Sequence, residues 1–418
     1  MMRFAIALLL VLGATAPAMA DVFALTNARV HTVDALGTLE DATVLVRNGR
    51  IASVGKDVRI PSDAVRIDAA GGEVTPGLFA GFTNLGIQEI SAVPETVDQS
   101  LEDFDRGAGF SIRRAVNPDS MLIGVARTGG VTRAMIGPSG GSQVFAGQAS
   151  LIRLDGASNP VSHPDHAQVA VLGSRGGQRT GGSRAAALQQ LEQGFAEALL
   201  YADSRALIRG AQASSLGFSR WDLDALLAFI GSGRPMAVHA DRASDIIQAL
   251  DILKARGIPM VLLGGAEAWK VAAALAAADV PVLLDPLDNL PRGFDRLGAR
   301  SDNITLLHQA GVSVGILEGS GRDVRRIRQY AGNAVAEGLP PEVALAAITR
   351  IPAEVWGVGD TYGRIAPGMS ADLVLWNGDP LELTTWAQRV WIEGREVPVD
   401  SRQLQLRDRY REPRSAYP

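Results

Sequence analysis

Between residues 235 and 317 the chain repeats one rhythm. Pro235–His239, Pro259–Leu263, Val280–Asp285 and Val312–Leu317 are short apolar runs, each preceded or followed by a helical pattern of ten or more residues. A strand without polar alternation is buried on both faces, as happens when helices cover a parallel sheet. Four such units in succession fit the second half of a (β/α)8 TIM barrel. Upstream, Leu78–Leu85 and Thr132–Ile136 read as strands, Ala149–Leu154 and Gln168–Leu172 as weaker ones, and Arg184–Ile208 as a helix.

The ends of the chain follow a different pattern. Phe23–Thr32, Ala42–Arg47, Ile51–Val54 and Val65–Ile67 are short β-branched stretches separated by turn signals such as Asn48-Gly49, and they read as an antiparallel sheet. Asp372–Trp376 and Arg389–Glu393 return to that alternation. A chain of 418 residues also exceeds the roughly 250–300 at which a single core stops growing. The predicted architecture is therefore α/β. A TIM barrel over residues 76–365 is inserted into a small composite β-sandwich domain built from residues 21–75 and 366–400. Residues 401–418 form an Arg-rich tail, read as a solvated helix with a frayed end.

The first twenty residues read as a secretory signal. Arg3 supplies the positive start, Phe4–Gly13 the apolar run, and Ala18-Met19-Ala20 a small-x-small cleavage site. The run is shorter than the roughly 20 residues that span a bilayer, and no later stretch is long and apolar enough to do so. Cleavage after Ala20 and export, to the periplasm of a Gram-negative source, are expected.

Composition limits the chemistry. The absence of Cys removes thiolate nucleophiles, iron–sulfur clusters and cysteine zinc sites. Only five His are present, and the three Lys (Lys56, Lys254, Lys270) leave Arg to supply the rest of the 40 basic residues. A formal charge of −5 argues against general nucleic-acid binding.

Several motifs point to one family. Val74-Thr75-Pro76-Gly77-Leu78 opens the barrel, and Asn117-Pro118-Asp119-Ser120 precedes Gly130-Val131-Thr132. Val238-His239-Ala240 follows the fifth strand, then Gly264-Gly265-Ala266-Glu267-Ala268-Trp269-Lys270. Ala371-Asp372-Leu373-Val374-Leu375-Trp376 leads into Gly378-Asp379-Pro380. Together these resemble the amidohydrolase superfamily, in particular an exported branch related to imidazolonepropionase and dihydroorotase. The resemblance covers nearly the whole chain after residue 20. It implies hydrolysis of non-peptide C–N bonds in amides or cyclic amides, assisted by one or two divalent metals at the C-terminal mouth of the barrel. It also implies self-association.

The same resemblance exposes departures. The family's His-x-His pair falls on Phe82-Thr83-Asn84, no Lys remains for strand four, and strand six ends in Leu263-Gly264-Gly265 without a His. His239 matches the strand-five ligand, and Glu318 stands beside Gly319, which falls on the strand-eight Asp position. A two-metal centre is not expected, and the residues call for no particular cofactor, though one divalent metal stays open. The one set left for a single divalent metal, zinc, is His239 with Glu318 and Asp285, because catalytic zinc needs three protein ligands and carboxylates can serve. The same three residues, with Asp241, are the candidates for acid–base catalysis. Phe82, Asn84, Arg242 and Arg322 are expected around the pocket, either arginine being able to pair with Glu318. Two readings of function follow: a C–N hydrolase, or an exported pseudoenzyme that binds a small ligand or partner without hydrolysis.

Three further stretches are notable. Ser162-His163-Pro164-Asp165-His166 reads as a loop because of Pro164. Gly173–Arg184, with Arg175, Arg179 and Arg184, could clamp an anion but reads first as a mobile surface loop. Pro138-Ser139-Gly140-Gly141-Ser142 reads as a backbone-shaping loop near the pocket.

Overall fold

A computed structural model describes residues 22–101, 106–204, 216–318 and 321–411. The expected signal segment, Gly319 and the tail beyond residue 411 lie outside the described residues. Five strands precede the barrel: β1 (Val22–His31), β2 (Thr38–Arg47), β3 (Arg50–Gly55), β4 (Val65–Asp68) and β5 (Glu73–Pro76). The barrel comprises β6 (Leu78–Thr83), β7 (Val131–Ile136), β8 (Phe145–Arg153), β9 (Val161–Val171), β10 (Met236–Ala240), β11 (Met260–Gly264), β12 (Val282–Leu284) and β13 (Val314–Ile316). After it come β14 (Leu373–Trp376), β15 (Ala387–Ile392) and β16 (Arg395–Val397).

Strands from both ends of the chain share one sheet, in the order β16-β15-β14-β5-β1-β2-β3 with β4 beside β1. Pro76 of β5 pairs with Leu373 of β14, so the chain leaves this sheet for the barrel beside the point where it returns. Phe23, Leu25, Val44, Leu373 and Trp391 are among the buried residues of its own core.

The eight barrel strands lie in sequence order, β6 to β13. Alternate side chains fill the interior: Phe79, Met135, Val169, Ala237, Val261 and Leu283 belong to one buried cluster. The opposite faces pack under the helices, where Leu78, Ala134, Val238, Leu262 and Val282 join a larger one. That two-sided burial is why the strands read as continuous apolar runs. Closure between β13 and β6 is completed by a third segment. Ile316 N–H donates to Ala347 O at 3.0 Å and Phe79 N–H to Ile348 O at 2.8 Å.

One strand breaks the expected alternation of strand and helix. β8 pairs antiparallel with both β7 and β9, whereas the other barrel pairs are parallel. The links over residues 137–144 and 154–160 are too short for a helical crossover, so reversal of β8 is forced. Its consequence is positional: the Gly-rich 137–144 link sits at the mouth of the barrel.

Two sequence expectations change here. His163-Pro164-Asp165-His166 lies within β9 rather than in a loop. The pairs Ala149↔Ala167 and Leu151↔His163 bracket a register shift, and Pro164 falls in this bulge, where no ladder donor is needed. Asp165 N–H donates to Ser150 Oγ at 3.0 Å instead. Gly173–Arg179 is a short helix rather than a surface loop, with Gly173, Gly176 and Gly177 buried. A Cβ on Gly176 would lie 2.4 Å from Val171 O, so only glycine lets this helix turn back against β9. The helix Arg402–Arg411 buries no residue. No helix among the described residues is long and apolar enough to cross a membrane.

Candidate functional site

Parallel pairing sets the ends of the barrel strands level with one another. His239 of β10 stands between Val171 and Leu263, and Leu263 stands beside Leu283. Just past these ends opens a cavity of about 520 Å³, lined among others by His239, Asp241, Gly264, Asp285, Asp288, Asp295, Leu317 and the arginines 175, 292, 296 and 300. A concave site of this size at the C-terminal face of a barrel is where ligands bind in such folds.

His239 is set at the base of this cavity. Its ring stands nearly perpendicular to that of Phe82, at 5.5 Å between centroids and 77° between planes. Burial, followed by the charges of Arg175 and Arg179, pushes its pKa down to about 3, so the imidazole is neutral. Its Nε2 is buried and has no hydrogen-bond partner. Phe82 is itself buried, lies 6.3 Å from Trp356 and belongs to the barrel core.

Asp285 follows β12 and lines the cavity. Burial raises its pKa; the Leu287 N–H, donating at 2.8 Å, opposes this, while Asp288 adds to it. Glu318, just past β13, is 1% exposed, and neither carboxylate oxygen has a side-chain or ligand partner. Burial holds its pKa well above the ordinary carboxyl range; its own backbone amide opposes this, and Asp285 and Asp323 reinforce it. Burial thus disfavours ionisation of Glu318, which lacks the pairing to Arg242 or Arg322 that the sequence suggests.

The other expected pocket residues are placed elsewhere. Arg242 and Arg322 are exposed and do not line this cavity. Asn84 spends its hydrogen-bonding capacity on structure. Its Nδ2 donates to Gln99 Oε1 at 2.7 Å and to Gln88, and its Oδ1 accepts from Gly321 N–H. It ties the loop after β6 to the loop after β13. Phe82 touches His239 but does not line the cavity.

The cavity's rim is built from ion chains that sequence reading did not find. Arg296 bridges Asp241, at 3.0 Å, and Asp288. Asp295 accepts from Ser174 N–H at 2.6 Å, from the Ser174 hydroxyl and from Arg184. Beside it Asp245, raised by burial and by Asp295, faces Arg184 at 3.7 Å. The only signal for these in the sequence is the preponderance of Arg among the basic residues; the partners are far apart along the chain.

Catalytic zinc needs three convergent ligands, and no group of three His, Cys, Asp or Glu among the described residues could hold a metal ion. His239 stands against the Phe82 ring, Asp285 accepts from a backbone amide, and Glu318 is buried outside the cavity lining. The arrangement can still bind a small polar molecule, since neutral imidazole, carboxyl and guanidinium groups share one concave surface.

Comparisons with known proteins agree on the fold. The Amidohydrolase family profile matches residues 179–397. An imidazolonepropionase from Maricaulis maris is 26% identical over 412 residues, covering 89% of this chain and 97% of that protein. Amidohydrolase tasK from Hapsidospora irregularis is 23% identical over 84% of this chain, which spans only 39% of the length of that longer protein. Among solved structures, an amidohydrolase from Thermotoga maritima superposes with a TM-score of 0.80 at 25% identity, covering 90% of this chain and 99% of that one.

Proposed function

Given that this chain belongs to the amidohydrolase family, we propose that it binds a small molecule at the barrel mouth without the metal-assisted C–N hydrolysis that the family resemblance implies. One observation carries this reading: at the place where a metal would be held, His239 stands against the Phe82 ring at 5.5 Å and no convergent ligand set exists among the described residues. A fold does not by itself carry an activity, which has to be argued from the site.

The cavity supports the binding half of the proposal. Its volume of about 520 Å³ suits a molecule the size of a substituted heterocycle, and its polar lining would fix the orientation. The related imidazolonepropionase suggests a nitrogen heterocycle or cyclic amide as the class to try first. His239 would act there as a neutral hydrogen-bonding group rather than a cation or metal ligand.

The deciding experiment is elemental analysis of the purified protein after exhaustive dialysis, repeated on His239→Ala. Zinc, iron and manganese well below stoichiometry in both proteins are expected. About one metal per chain, lost in the variant, would instead restore the hydrolase reading and locate its centre.

A further inference from the structure

Two motifs that look unrelated in sequence meet at the mouth. Arg175 and Arg179 lie one turn apart on the helix Gly173–Arg179, directly after β9. Both guanidinium groups turn onto a single acceptor, Ser139 O, at 3.4 Å from Arg175 and 3.0 Å from Arg179. Ser139 belongs to the 137–144 link that the reversal of β8 brings to this end of the barrel. The link is held from the other side, where Ser139 N–H donates to Gln99 O at 2.9 Å and Leu101 N–H to Gly140 O at 3.2 Å. Gly140 adopts φ +154°, a conformation that strains any other residue, and a Cβ there would also lie 1.8 Å from the Arg179 guanidinium and displace it.

Neither arginine forms an ion pair with a carboxylate among the described residues, although most of the mouth's other charges do. Arg179 Nη1 is buried with no partner. Burial, and then the charge of Arg175, bring the Arg179 pKa down to about 10. Two like charges converging on one carbonyl, one of them half-buried, are costly unless a counter-ion completes the arrangement. Guanidinium groups match planar oxyanions bidentately. Arg175 also lines the cavity that holds His239.

We propose that Arg175, which lines this cavity, and Arg179 beside it form an oxyanion subsite at the cavity's edge that takes the carboxylate of a small organic acid. The proposal deepens the ligand-binding reading and rests on it. The occupant is a singly charged, planar carboxylate, which a guanidinium fork matches bidentately.

Thermal unfolding of the full chain tests this, with sodium acetate titrated against sodium chloride at fixed ionic strength and inorganic phosphate in a parallel arm. Acetate is expected to raise the midpoint saturably, by roughly 1–2 °C at tenfold excess over its dissociation constant. In Arg175→Gln/Arg179→Gln the acetate effect is lost, while the acetate-free midpoint is unchanged or higher because the repulsion is gone. The single variant Arg175→Gln, at an exposed position, weakens the effect and keeps the test valid if the double variant fails to fold. Equal effects of acetate and chloride on the wild type overturn the proposal. So does a double variant with a lowered midpoint and an intact acetate effect, which would make the arginines mere clamps on Ser139. A phosphate effect larger than that of acetate overturns the choice of carboxylate. Metal content is an independent readout: a metal held by His239 would refute the reading of function and leave the acetate result standing.

Discussion

Arg133 and Glu318 are both ionisable, both about 1% exposed, and set toward opposite ends of the barrel. Arg133, near the start of β7, donates to Asp372 at 2.6 Å and to Glu393 at 2.9 Å, and its guanidinium stacks 3.7 Å above the Tyr362 ring. Burial alone would lower its pKa, but the charge and hydrogen bond of Asp372, with Glu393, raise it above the ordinary value. Glu318 has no such partner, and its pKa is raised by burial. The Arg133 contacts join the barrel to the composite sheet, because Asp372 and Glu393 flank β14 and β15. The mouth is left with unpaired groups: Glu318, His239 Nε2 and Arg179 Nη1. A buried polar group without a partner costs stability; single unpartnered nitrogens also occur away from the mouth, Arg133 Nη1 among them, but Glu318 leaves both oxygens of a whole carboxyl group without one.

The contrast can be broken most severely at the paired end. Asp372→Ala leaves Arg133 buried with only the half-exposed Glu393, and is expected to cost about 3–5 kcal/mol in equilibrium denaturation. A loss below 1 kcal/mol would show that the pair does not hold the two domains together. At the mouth the sign reverses. Glu318→Met is expected to stabilise the protein by about 1–3 kcal/mol, because it removes an unpartnered carboxyl of similar volume.

The gain in Glu318→Met should also depend on pH. The folded chain holds the Glu318 proton well above the ordinary value of 4.5, while the unfolded chain releases it near that value. Raising the pH beyond about 4.5 therefore favours unfolding of the wild type, until the folded carboxyl itself ionises. The variant's advantage should widen over that range, as stability measured at several pH values would show. A constant difference would mean that Glu318 is not held neutral. The smallest effects are expected at Arg242→Ala and Arg322→Ala. Both residues are exposed and away from the cavity lining, so each should change stability by no more than about 0.5 kcal/mol and leave acetate binding intact.

Much of the frame is legible from local pattern. The apolar runs at Pro235–His239 and Pro259–Leu263 announce β10 and β11 because burial on both faces leaves no polar alternation. The alternating ends announce a separate sheet for the converse reason. His239 and Asp285 could be assigned to the mouth because strand ends are readable and the barrel places them level. The reversal of β8 was less accessible. Ala149–Leu154 reads as a strand, but its direction depends on link lengths and pairing rather than on its own residues. Pro164 misleads because a bulge in an antiparallel ladder tolerates it as a loop would. Gly173–Arg179 misleads because close helix–strand contact uses glycine as a mobile loop does.

By itself, the sequence determined the barrel, the composite β-domain and the family, since hydrophobic period and turn chemistry are local and survive any arrangement of side chains. It also limited the chemistry, because residues that are absent cannot be supplied by folding. Only the tertiary structure decided which charged groups meet. It paired Arg133 with Asp372 across 239 positions of sequence and left Glu318 without an arginine. It also brought Arg175 and Arg179 onto Ser139 through the reversed strand. Electrostatic partnership depends on distances of a few ångströms, and sequence separation carries almost no information about those.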